Sequence, residues 1–118
     1  YRLIIDEIGG WGALQELLGL LDKIASRHGT SIGAIATRWV LDQPHVAAVI
    51  LGVGSQSRAR ENLALADLHL DEEDRQAITS LLQKQAIPPG DMYELERDPD
   101  GPHTKIIKMN LHGEEDRR

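Results

Sequence analysis

The apolar residues Leu14, Leu17, Leu18, Leu21, Ile24 and Ala25 recur at intervals of three and four. That spacing places them on one stripe of a helix, and Gly29 follows as a left-handed stop. The pattern predicts a helix over residues 13–28. Thr30 and Ser31 then offer an N-cap, and Ile32, Ile35, Ala36, Trp39 and Val40 continue a helical stripe until Pro44. A second helix is predicted over residues 32–41.

Val46, Ala47, Ala48, Val49, Ile50 and Leu51 form an unbroken apolar run rich in β-branched residues, set between turn signals at Pro44 and Gly52. The run predicts a strand buried on both faces, of the kind found in parallel sheets. No second run of this kind occurs, so its sheet partners are expected outside the chain. Past Gly52, Val53, Gly54 and Ser55 a helix is predicted over residues 57–66, with Ser55 or Ser57 as its cap. Asp71 and Asp74 resemble a capping arrangement ahead of Ala77, Ile78, Leu81 and Leu82, which predicts one more helix over 72–84. Pro88, Pro89 and Gly90 end it.

The tail changes character. Met92, Glu94 and Glu96 alternate with Tyr93, Leu95 and Arg97, and the stretch from Asp98 to Pro102 carries turn chemistry ahead of residues 104–111. A β-hairpin is predicted there, with a disordered tail as the alternative; the charged residues 113–118 should fray. Two units result: residues 1–86, and a tail over 87–118.

At 118 residues the chain has the size of one ordinary domain, and 41% hydrophobic residues supply a modest core. Thirteen basic against nineteen acidic residues leave a net charge of −6, which disfavours nucleic acid and anionic membranes as partners. The absence of cysteine excludes disulfides and thiolate metal sites and fits a reducing compartment. No apolar run has the length of a membrane span and no secretory signal is visible, so a soluble cytoplasmic protein is expected. The chain opens on Tyr1, inside apolar sequence, and we expect it to be truncated.

Candidate chemistry concentrates in the segment from Val46 to Leu63. Glycines after a strand allow close backbone approach, and the following helix presents unpaired N–H groups and partial positive charge to an anion such as phosphate. Ser55, Ser57, Arg58 and Arg60 add hydroxyls and charge. A glycine turn between strand and helix is nevertheless more often a plain connection, and spacing alone does not decide.

The longer phrase RWVLDQPHVAAVILGVGSQSRARENL resembles the aldo-keto reductase pattern, in which an Arg-Trp helix leads to the last barrel strand and then to an Asn-containing helix. The similarity extends through HLDEEDRQAITSLL and back through GGWGALQELLGLLDKIASRHGTSI, covering nearly all of residues 9–82; the tail resembles some relatives less specifically. The resemblance implies an α/β fold: the C-terminal part of a (β/α)8 TIM barrel, mostly helical, with one buried parallel-type strand. It also implies an NADP(H)-dependent oxidoreductase acting on a small carbonyl substrate. Gly52, Val53, Gly54 and Ser55 would line the phosphate turn, Arg58 would face the 2′-phosphate, and Glu61 and Asn62 match positions that meet adenine. Many relatives carry arginine where Gly54 stands, which leaves Arg58, helped by Arg60, to supply the charge for the 2′-phosphate that distinguishes NADP from NAD. The family's Asp-Tyr-Lys-His catalytic set is absent from the matched segments, so no catalytic residue is assigned and the chain alone should be inactive.

Other candidates have simpler explanations. Trp39 sits on a core stripe, while Trp11 follows Gly9 and Gly10 in what would be a loop near a ligand face. The five histidines are too dispersed for a metal site, and the acidic run from Asp71 to Asp74 suits helix capping better than cation binding. LLDKIASRHGTSIGAIATRWV also has the outline of a helix-turn-helix, but its second helix offers Arg38 as the sole basic side chain. A helical protein-interaction module is the other alternative. Apolar area left exposed would favour it, and self-association of the chain with it.

Overall fold

A computed structural model describes residues 2–88 and 90–106, the side chains of Met92 and Ile106 excepted. The helices are α1 (Arg2–Glu7), α2 (Gly10–His28), α3 (Ile32–Leu41), α4 (Gln56–Ala64), α5 (Glu72–Leu82) and α6 (Met92–Arg97), followed by a 3-10 turn at Thr104–Ile106.

Gly9, in left-handed backbone at φ 118°, separates α1 from α2, so α2 begins at Gly10, three residues before the predicted start. Gly29, at φ 64°, ends it as a left-handed cap, and the Thr30 N–H reaches back to the Ala25 carbonyl at 2.9 Å. α3 has the predicted bounds. Its N-cap is Ser31, whose Oγ accepts the Ala34 N–H at 3.2 Å.

The core lies where α2, α3 and α5 meet. Leu21, Ile24 and Ala25 of α2 close on Ile35 of α3 and Ile78 of α5, with Leu70 inserted from the approach to α5; Trp39 packs against this cluster, half-buried. α5 starts in a reciprocal capping box, with the Asp74 N–H bonded to Asp71 Oδ1 at 2.8 Å and the Asp71 N–H to Asp74 Oδ2 at 3.2 Å. Asp42, the C-cap of α3, accepts from Arg38 and, at 3.5 Å, from Arg75 of α5. Gln85 Nε2 donates to the Ala13 carbonyl at 2.9 Å and ties the end of α5 to the start of α2.

Two expectations are corrected. Residues 46–51 are not a strand, and no strand occurs among the described residues. None of them is fully buried: Ile50, Ala47 and Ala48 are exposed, and Val46, Val49 and Leu51 are half-buried. A ladder needs a second strand to take its N–H and C=O groups, and no described segment offers one. The tail does not form the predicted hairpin. Its first arm is helix α6, because Asp91 caps it by accepting the Glu94 N–H at 2.9 Å. An N-cap aspartate with Glu94 three positions on outweighs a six-residue alternation. Of the second arm, Thr104–Ile106 is a 3-10 turn, while residues 107–111 and the end expected to fray lie outside the described residues.

Candidate functional site

A cleft of about 320 Å³ opens between the start of α3 and the face of α4. Arg58, Glu61 and Asn62 follow one another at intervals that share a helix face, and all three line it. Leu51 and Gly52 form a second wall, and Ser31, Gly33, Ala34 and Thr37 of the α3 side a third. The Asn62 amide donates to the Gly52 carbonyl at 3.4 Å, which fastens the glycine turn to α4.

Of the residues predicted for the site, the cleft thus brings Gly52, Arg58, Glu61 and Asn62 together. Val53, Gly54 and Ser55 lie outside its wall. Ser55 is turned to its own helix: its Oγ accepts the Arg58 N–H at 3.3 Å and lies 2.9 Å from Ser57 Oγ, so it caps α4. Arg58 is exposed and forms no ion pair among the described residues. A Cβ at Gly52 or Gly54 would meet nothing within 4 Å, and neither glycine has positive φ. Among the described residues, neither packing nor backbone twist requires glycine there.

Ser31 and Thr37 are wall residues that the sequence reading missed. Ser31 shows in sequence only as a cap, and no periodic signal places α3 across a cleft from α4.

A second polar cluster joins α2 to α5. Asp74 is fully buried, His28 Nε2 lies 2.7 Å from its Oδ2, and Arg27 donates to its Oδ1. Burial pushes the Asp74 carboxyl up, but hydrogen bonds from His28, the Asp71 N–H and Arg27, together with the Arg27 charge, hold it below the ordinary carboxylate range. The same bond to Asp74 raises Arg27. His28, Asp71 and Asp74 present ligand-type atoms within 4.8 Å of one another, yet both Asp74 oxygens are already engaged, so the cluster serves as a helix clamp. His28 and the buried His103 are therefore not the simple surface histidines that their dispersal suggests.

Residues 4–83 match the model of the aldo/keto reductase family. The chain belongs to that family. Deoxymugineic acid synthase 1 of Zea mays is 33% identical over 81 residues, 69% of this chain and 25% of that protein. Bifunctional protein STORR of Papaver somniferum is 36% identical over 75 residues, 62% of this chain and 8% of that one. The 4-dihydromethyl-trisporate dehydrogenase of Mucor mucedo is 36% identical over 63 residues, 53% of this chain and 19% of that one. No solved structure gives a significant match. This aldo/keto reductase chain thus spans a quarter or less of the length of these curated relatives. The family implies a TIM barrel, of which the described residues show helices and no strand. No helix among them is long and apolar enough to cross a membrane.

Proposed function

We propose that this chain is the C-terminal part of an NADP(H)-dependent aldo-keto reductase and carries the adenosine-phosphate side of its cofactor site. The observation that carries this reading is the meeting of Gly52, Arg58, Glu61 and Asn62 in one cleft. The residues fit the group. Among the described residues, Arg58 offers a guanidinium with no competing partner, and two glycines with open space at the Cβ position leave room for a phosphate at the backbone. Arg58 would pair with the 2′-phosphate, and Glu61 and Asn62 would meet the adenine edge with acceptor and amide groups. Gly52, Val53, Gly54 and Ser55 would form the turn passing the phosphates.

Bound NADP(H) supplies the hydride for a small carbonyl substrate; this chain's residues grip the far end of the cofactor. The matched segments contain no Asp-Tyr-Lys-His set, so this polypeptide alone is expected to leave NADPH unconsumed with an aldehyde. A barrel takes roughly 250 residues, which makes residues 1–86 its closing portion and residues 87–118 a tail.

The test is Arg58→Ala in the complete enzyme. A lost charge-assisted hydrogen bond corresponds to about 10- to 100-fold weaker NADP(H) binding, with NAD(H) affinity nearly unchanged. Equal weakening of both cofactors would sink the assignment.

A further inference from the structure

We propose that Glu7 and His103 form a latch that holds α1 against the C-terminal segment, with Gly9 and Gly10 as the hinge on which α1 turns. This device is independent of the cofactor reading. Its latch joins residues far apart in the chain: His103 Nε2 lies 2.7 Å from Glu7 Oε1, and His103 is only 4% exposed.

Four features set the contact apart from ordinary packing. The hinge is visible in the backbone, since Gly9 and Gly10 both have positive φ, 118° and 81°, a region that glycine enters freely and other residues resist. On the near side of the hinge, α1 has six residues and buries none of them completely. So short a helix has little stability of its own and depends on what holds it.

The C-terminal segment, by contrast, is organised without α1. Asp91 caps α6, the Gly101 N–H bonds to the Asp98 carbonyl at 3.0 Å, the Asp100 N–H to Asp98 Oδ1 at 3.1 Å, and Thr104 Oγ1 donates to the Glu96 carbonyl at 2.8 Å. His103 is therefore presented on a preformed turn. Finally, the closed arrangement carries a cost: Glu7 Oε2 is buried with no partner among the described residues. A buried oxygen without a partner offsets part of what a single hydrogen bond contributes, so on the described contacts the latch is weakly held. Trp11, 66% exposed just past the hinge, sits beside the moving part.

Hydrogen exchange on the full chain tests this. In His103→Ala and in Glu7→Ala, exchange over residues 2–8 should accelerate about tenfold, while residues 21–35 and 74–82 exchange as in the parent. The double variant should add nothing to either single one, because both remove the same contact. His103→Gln, which retains a donor, should restore part of the protection. Unchanged exchange over residues 2–8 in His103→Ala overturns the proposal, and so does equal acceleration of α1 and the core, which would make the pair plain packing.

Discussion

His28 Nε2 lies 2.7 Å from Asp74 Oδ2, so the last residue of α2 grips the first turn of α5. Arg27 takes the other oxygen, and the Asp71 N–H shares Oδ2. One buried carboxylate thereby serves as a helix cap and as the junction of two helices. Asp74→Ala removes both roles, leaves His28 without its partner and leaves Arg27 with Glu73 at 3.4 Å. It should lower stability by about 2–4 kcal/mol in urea unfolding. A loss under 0.5 kcal/mol would show the junction to be incidental.

The same carboxyl makes acid destabilising. Its value in the folded chain is held below the ordinary one, so as pH falls the unfolded chain takes up the proton first. The contribution is complete above the unfolded value of about 3.9 and is lost as pH drops through the folded one. Denaturation curves between pH 6 and pH 3, taken at intervals of about one unit, should show this decline. Asp74→Asn should flatten it.

Ile35 has no exposed surface and lies where α2, α3 and α5 converge. Truncation to alanine leaves a cavity that helices fixed by the Gly29 stop, the Ser31 cap and the Asp71–Asp74 box cannot easily fill. Ile35→Ala should cost about 2–5 kcal/mol, read from the shift in the unfolding midpoint at unchanged slope.

Gly29 adopts φ 64° with open space where a Cβ would stand. The cost of Gly29→Ala is therefore conformational rather than steric, about 1 kcal/mol. Gly29→Asn should cost less, since asparagine tolerates this region. The two midpoints, measured side by side, separate this from a clash.

Ile50 gives the opposite expectation from Ile35 although both are β-branched and apolar. Because it is fully exposed, Ile50→Ser in this chain should change stability by no more than about 0.5 kcal/mol. A loss of 2 kcal/mol or more would mean that the segment is covered by neighbours in solution.

The helices were legible in sequence because their determinants are local. The stripe through Leu21 and Ile24, the Ser31 cap, the Gly29 stop and the Asp71–Asp74 box each act within a few residues, and each is found where the spacing puts it. Local chemistry also misled in the tail, where alternation suggested strands but the Asp91 cap produced α6. The short α1 carries no periodic stripe, so no spacing predicts it.

What the sequence determined by itself is the set of helices around the core and the kinship with aldo/keto reductases, both written in residue order. The tertiary structure alone decided which groups meet: Asp74 with His28 and Arg27, Glu7 with His103, and Gly52, Arg58, Glu61 and Asn62 with the Thr37 face of α3. It also decided that residues 46–51 form no strand and that Ile50 stands open. An apolar run states a need for burial, but burial is met only by neighbours, and their positions are not a property of the run.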